Sequence, residues 1–551
     1  MGSLDWNSAD VVTLGSVEAV TSVLNRLPQA GDWVAIRSFY AYAPDRTLAD
    51  AEFRRFFAED PEVKVEPAST DAVRICVSRD HCGMAGPMAG LEVTLPLHPQ
   101  DRVLTIGLPT EGKPTPSTII AAGQGSVFVR FERKGHIVYF CTSSRMIDIN
   151  QPMSQRFYDI KEHFCSVVPL IMFIKQMFPD TAWHPQELGA CLIIDDPLLK
   201  SRYGHCDFPK MRDLMRRHKF TTNIAFIPWN WRRTSRSAGA FFRSEADLFS
   251  VSIHGCDHTA REFGSSSLSS LQRGAQLAQS RMRKHFQRTG VRHDSIMVFP
   301  QGVFSSDCPG ILQRNGFLAA VNTEVAPVDS ENARTRICDV WDIAIMAYDG
   351  FSIFTRRYAF HGIENFAFDL MLGKPCLIVA HQDSFRDGGA ELIALVERIN
   401  SLNCTVKWQP LGEVIRRACR HRMLAPDVEE LEMYGNELLV ENSTDRPVRL
   451  SVRKRKSEDS PISGITCNGQ SVTWTNRDNH HSFEMQLQPL SQERIRTLYE
   501  QSLPEAAGRS LQFELAVAAR RILSEFRDEY LSTNRFLSAP AHHFSKVLRT
   551  Q

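Results

Sequence analysis

Between residues 185 and 422 the chain repeats one pattern, a short apolar run followed by a polar turn and an amphipathic stretch. The apolar runs are Ala190–Ile194, Thr222–Phe226, Phe249–Ile253, Ser295–Phe299, Leu318–Asn322, Ile343–Met346, Cys376–Ala380 and Thr405–Trp408. Helical spacing fills several of the gaps, over Phe208–Lys219, Leu268–Arg288 and Ala390–Ser401. Strands that alternate with helices in this way form a parallel sheet, either open or closed into a barrel.

The flanking regions read differently. With 551 residues the chain exceeds one ordinary core. We divide it into an N-terminal α/β accessory domain (1–182), the repeating βα domain (183–425), a β-sandwich (426–500) and a helical segment (501–551). In the first unit, Asp32–Phe39 and Asp71–Val77 read as strands. Gly125–Phe131 and His136–Thr142 read as a hairpin around Lys134-Gly135, and a helix is expected over 153–177. This unit resembles flavodoxin-like or amidotransferase-like accessory domains and carries no nucleophile constellation. Between 428 and 498 short alternating runs separated by turn residues indicate a small sandwich. The basic run Arg453-Lys-Arg-Lys456 reads as a solvated strand end. Pro504–Leu537 reads as a helix with Leu511, Leu515, Ala518, Ile522, Phe526 and Tyr530 on one face. That face is expected to pack on the chain's own body, with a homo-oligomer contact as the alternative.

The formal net charge of +1 offers no bulk attraction to nucleic acid or acidic membranes. Met1-Gly-Ser-Leu-Asp-Trp lacks a basic and an apolar signal region, and Phe164–Phe178 is too short and too interrupted to span a bilayer. Thirteen cysteines without CxxC spacing read as reduced thiols, so a cytoplasmic location is expected.

Chemistry-bearing residues follow four of the apolar runs. Cys191-Leu-Ile-Ile-Asp-Asp-Pro197 ends in adjacent carboxylates, Asp195 and Asp196, with Pro197 stopping the strand. An isolated Asp-Asp also serves as a helix cap or turn. In a strand, neighbouring side chains point to opposite faces, so the two carboxylates can serve different partners. Ser252-Ile-His-Gly-Cys-Asp-His258 places His254 and His258 four apart. On a helical turn they would share a face and bind one metal ion. Met297-Val-Phe-Pro-Gln-Gly302 brings a Pro-x-Gly turn, and Leu377-Ile-Val-Ala-His381 ends in a histidine. A lone histidine there is usually structural. Four strand ends delivering Asp-Asp, His-x-x-x-His, Pro-x-Gly and His in sequence are much harder to assign to chance.

That order resembles the polysaccharide deacetylases, the NodB-homology or carbohydrate esterase family 4 group, over roughly 188–415. The motifs here are Ile193-Ile-Asp-Asp-Pro197, His254-Gly-Cys-Asp-His258, Val298-Phe-Pro-Gln-Gly302 and Val379-Ala-His381, with Val406–Gly412 similar to the closing segment. The resemblance implies a distorted (β/α) barrel and a divalent metal, usually zinc. It implies Asp195 as general base, Asp196, His254 and His258 as metal ligands, and His381 as general acid. Pro300 and Gly302 would shape or support the substrate site.

Two departures matter. Val298 stands where that family carries an arginine that orients the base, and Pro197 stands where glycine is usual. Arg356 and Arg357 are the candidates to replace the missing arginine. The resemblance implies removal of an N-acetyl group from a sugar or glycan precursor, in bacterial surface-polysaccharide metabolism. The alternative is a catalytically inactive glycan-binding or scaffold protein.

Overall fold

The computed structural model describes residues 12–17, 19–20, 38–42, 56–57, 63–67, 72–98, 101–106, 116–133, 136–143, 147–153, 155–329, 335–425, 428–457, 460–500 and 510–531. The chain divides into two compact units. The first comprises Met1–Asp148, Asp159–Ala182 and Ser401–Cys404. It is built on a nine-stranded mixed sheet. Val12–Ser16, Ser38–Tyr42 and His136–Cys141 pair in parallel, and Gly125–Arg133 forms the expected hairpin with His136–Cys141. Antiparallel pairing in the rest of the sheet separates it from the all-parallel flavodoxin-like arrangement. Residues 32–37 of the expected strand lie outside the described residues. The helix is shorter than its pattern suggested, Phe164–Met177, preceded by a single turn at Ile160–His163.

The second unit contains a barrel. Leu188–Asp195, Thr222–Phe226, Phe249–His254, Ile296–Val298 and Ala319–Asn322 pair in parallel, in chain order. Ile353–Thr355 adds to Ala319–Asn322, while Arg357–Tyr358 adds to Cys376–Ala380, which returns to Leu188–Asp195. One segment, interrupted only at Arg356, therefore closes the barrel. Val406–Trp408 pairs beside the start of Leu188–Asp195. This is the distorted (β/α) barrel that the resemblance implied, the closed one of the two forms open to the βα repeat.

One strand was misplaced. Ile343–Met346 makes a single bridge, Ile345 to Ile353, and the barrel strand is the segment that follows it. The two segments are similarly apolar, so pattern alone does not choose between them. Leu192, Ile193 and Ile194 are all fully buried, each contributing about 1.5–3 kcal/mol of hydrophobic stabilisation. That explains why the strand leading to the two carboxylates is unbroken apolar sequence.

The region after residue 418 forms two antiparallel-rich sheets around one core, including Leu431, Leu438, Val452, Phe483 and Ile495. The basic run is solvated only at its end, where Lys456 is exposed. Lys454 is buried and donates to the carbonyls of Tyr434 and Gly435, and Arg453 pairs with Glu430 and Glu432. Among the described residues, no helix is long and apolar enough to cross a membrane.

Candidate active site

Asp195 ends the first barrel strand, and Arg356 sits at the break in the closing strand. The guanidinium donates in parallel to both carboxylate oxygens, at 2.6 and 2.7 Å, and both residues are buried. Burial alone would push the Asp195 carboxyl up. The charge of Arg356 and its two hydrogen bonds outweigh it, holding the group below its ordinary range. Arg357, the neighbouring candidate, faces the other way. It makes a two-pronged pair with Asp369 at 2.5 and 3.0 Å and donates to the Tyr158 carbonyl at 2.9 Å. Strand alternation separates the two arginines, so Arg356 is in the site and Arg357 supports the structure outside it.

Asp196 leaves the strand with φ +81°, which turns its carboxylate away from that of Asp195. Its Oδ1 lies 3.5 Å from His254 Nε2 and 3.2 Å from His258 Nε2. The two imidazole centroids are 4.9 Å apart. The expected helical turn between the histidines does not form. Residues 255–258 are an irregular loop with Gly255 at φ +64° and His258 at φ +56°. The loop is organised by the Glu262 carboxylate, which accepts from the backbone N–H groups of Cys256, Asp257 and His258 at 3.1, 2.8 and 3.1 Å. A Cβ at position 255 would lie 2.5 Å from Pro300 Cγ and 2.6 Å from Glu262 Oε2, so only glycine fits. Pro300 thus packs against the histidine loop. Gly302, at φ +71°, has its carbonyl held by Asn322 at 2.8 Å. Both shape the loops around the site.

The trio Asp196, His254 and His258 fits a divalent cation. Its ligand atoms lie within 4.8 Å of one another. Asp196 Oδ1 is buried without a hydrogen-bond partner, a costly state for a carboxylate oxygen in the absence of a ligand. His254 Nδ1 lies 3.0 Å from the Val298 carbonyl. A proton on Nδ1 for that bond leaves Nε2 as a lone pair facing Asp196, the usual second-shell arrangement of metal-binding histidine. Burial lowers the His258 pKa to about 4, which keeps the imidazole neutral near pH 7. Two imidazoles and one carboxylate match the donor preferences of zinc and its neighbours.

His381 follows the strand Cys376–Ala380, and its ring is near-parallel to that of Tyr358, with centroids 6.2 Å apart. It lies within electrostatic reach of both Asp195 and Asp196. The structure therefore gathers Asp195, Asp196, His254, His258, His381 and Arg356 from four strand ends.

Two contributors were not visible in the sequence pattern. Tyr203, in the loop after Asp196, donates to Asp528 at 3.1 Å. Asp528 follows the helix Leu511–Phe526. That helix packs on the barrel, but by the face opposite to the one expected. Leu511, Leu515, Ile522 and Phe526 are 76%, 63%, 58% and 52% exposed, whereas Val517, Arg521 and Asp528 are buried. Tyr530's side chain lies outside the described residues. Loop cations hold the inward face, with Lys200 on Glu525 and Glu529 at 2.9 and 2.7 Å and Arg233 also on Glu525. A heptad-like run of charged residues at 514, 521, 525 and 528 was the signal available in the sequence.

No family model and no curated protein sequence matches the chain. Among solved structures, it is similar to Agd3, described as a novel carbohydrate deacetylase, at 10% identity and a TM-score of 0.44, covering 90% of this chain and 99% of that one. It is similar to Bacillus subtilis PdaA, a family 4 carbohydrate esterase, at 15% identity and a TM-score of 0.26, covering 48% and 94%. A Clostridium thermocellum family 4 acetyl xylan esterase in complex with cobalt matches at 11% identity and a TM-score of 0.25, covering 41% and 90%. The function proposed below rests on the arrangement of the site itself.

Proposed function

We propose that this chain is a metal-dependent hydrolase that removes an N-acetyl group from a sugar. The observation that carries this reading is the division of labour between two consecutive carboxylates. Asp195 is held by Arg356 in a buried bidentate pair, whereas Asp196 presents an unpartnered buried oxygen to two histidines. One carboxylate is oriented for proton transfer and its neighbour for a cation.

A divalent ion on Asp196, His254 and His258, zinc by donor set, would acidify a water and polarise an amide carbonyl. Asp195 keeps free lone pairs beyond those given to Arg356 and takes the proton of the attacking water. Arg356 fixes the plane of that carboxylate and keeps it ionised. His381 gives a proton to the departing nitrogen, since an unprotonated amine leaves poorly. The C–N bond breaks, and the products are acetate and an amino sugar. The scaffold reading drew its support from Val298 in place of the arginine. Arg356 on Asp195 removes that support.

The test is acetate release from a panel of N-acetylated sugars, with metal content measured on the same samples. Asp195→Asn is expected to keep its metal and lose about 10²–10⁴-fold in turnover, with His381→Ala losing a similar factor. His254→Ala is expected to lose the metal. Circular dichroism is the check that Asp195→Asn, which also deprives Arg356 of its partner charge, remains folded. Turnover by Asp195→Asn equal to that of the unaltered chain would overturn the mechanism.

A further inference from the structure

The inward face of the helix Leu511–Phe526 and the turn after it is mainly acidic, and its acids are paired. Glu525 and Glu529 meet Lys200, Glu525 also meets Arg233, Glu514 lies 3.8 Å from Arg281, and Asp528 accepts from Tyr203. These partners come from the loops after the first two barrel strands and from the helix bracing the histidine loop. The helix therefore lies against the barrel's metal-binding end. Arg521 is the exception on that face. It is 4% exposed, and its Nε is buried without a hydrogen-bond partner.

A buried guanidinium without a hydrogen-bonded acid is costly, and proteins retain one where a ligand supplies the missing charge. The groups that feel the charge of Arg521 are Asp196, His258 and Tyr203. Asp196 is the acid among them, and a bound cation would consume its charge. With a dication on the trio, Arg521 would face a second positive centre within electrostatic reach, and the neighbouring carboxylate, Asp528, is already engaged by Arg527 and Tyr203. An oxyanion is the ligand such a pocket selects.

We propose that Arg521 is a specificity-determining residue that binds an anionic oxygen group on the sugar, so the substrate class is anionic N-acetylated sugars rather than neutral glycan chains. This rests on the deacetylase reading and narrows its substrate. A sugar phosphate and a carboxylated sugar offer the same chemistry, and the experiment separates them.

The full chain, metal-loaded and metal-free, is titrated calorimetrically with N-acetylglucosamine, N-acetylglucosamine 1-phosphate and an N-acetylated aminouronic acid. At least one anion is expected to bind about 10- to 100-fold tighter than the neutral sugar, the range of a charge-assisted hydrogen bond. Whichever anion gains identifies the source of the charge. Arg521→Gln should remove that gain while leaving neutral-sugar binding unchanged, and Arg521→Lys should restore part of it. In turnover the effect should fall on KM more than on kcat. Thermal melting should show Arg521→Gln at least as stable as the unaltered chain, because an unpaired buried charge is lost; a purely structural role would lower the melting point. Absence of an Arg521-dependent gain for either anion, or equal loss for all three ligands, overturns the proposal. Acetate release from none of the three by the metal-loaded chain counts instead against the hydrolase, and the binding ratios still decide the anion site.

Discussion

Two sets of metal-ligand residues lie on either side of one loop, and they have opposite fates. Asp196, His254 and His258 form the first, and Cys256, Asp257 and Glu262 the second, each with its donor atoms within 4.8 Å of one another. In the second set every group is already engaged by protein. Asp257, fully buried, pairs with Arg281 at 2.5 Å, and the same guanidinium lies 3.3 Å from Cys256 Sγ. Glu262 accepts three backbone N–H groups. In the first set Asp196 Oδ1 has no hydrogen-bond partner. Both sets offer metal-ligating residue types at the same proximity, so those two features do not define a metal site. What separates them is whether the lone pairs are already spent. The second set supports the first, since its hydrogen bonds hold the backbone of His258 in place.

The contrast is sharpest in stability. Asp257→Asn should cost about 3–5 kcal/mol, because the buried Arg281 guanidinium loses the carboxylate it pairs with most closely. The equivalent change in the other set, Asp196→Asn, should change the metal-free unfolding free energy by less than about 1 kcal/mol. Urea unfolding of the two variants side by side checks this, and equal losses would erase the distinction between structural and functional carboxylates. Metal binding should show the reverse order. Asp196→Asn should weaken zinc affinity at least about 100-fold by competition with a chromophoric chelator, since a neutral amide is a poor ligand. Any folded variant at Asp257 should bind zinc within about tenfold of the unaltered chain.

Glu262→Gln is expected to have a smaller effect. An amide in place of the carboxylate sets an N–H against at least one of the three backbone donors, costing about 1–3 kcal/mol. It should also loosen His258, seen as weaker zinc affinity with no loss of a direct ligand. The smallest effect is on pH dependence. Burial, and then the charge of Asp257, push the Glu262 pKa from its ordinary 4.5 up to about 7, against the pull of the three N–H donors. The folded chain thus binds more protons at this group than the unfolded chain between those values. Its contribution to stability is present below about 4.5 and is lost as pH rises towards about 7. Relative to Glu262→Gln, the metal-free unaltered chain should therefore lose stability across that window. A flat difference between the two denaturation curves would refute the assignment.

By itself, the sequence determined the parallel βα architecture and the identity of the strand-end residues. Strands that alternate with helices must be parallel, and an apolar run stopped by Pro or Gly marks where a barrel exposes side chains. That is why Asp195, Asp196, His254, His258 and His381 were legible as one constellation. The tertiary structure decided what each one touches. Arg356 and Arg357 are adjacent and chemically identical, and only the closure of the barrel at Arg356 selects which of them reaches Asp195. The two histidines meet through a loop built on the Glu262 carboxylate and a close approach of Gly255 to Pro300, both contacts between residues that no periodicity links. The terminal helix shows the limit most plainly. Amphipathic spacing identified an apolar face but not its direction, and pairing of Lys200 and Arg233 with Glu525 turns the charged face inward. Local sequence encodes patterns along an element. Which face of that element is buried depends on the partners that the rest of the fold brings to it.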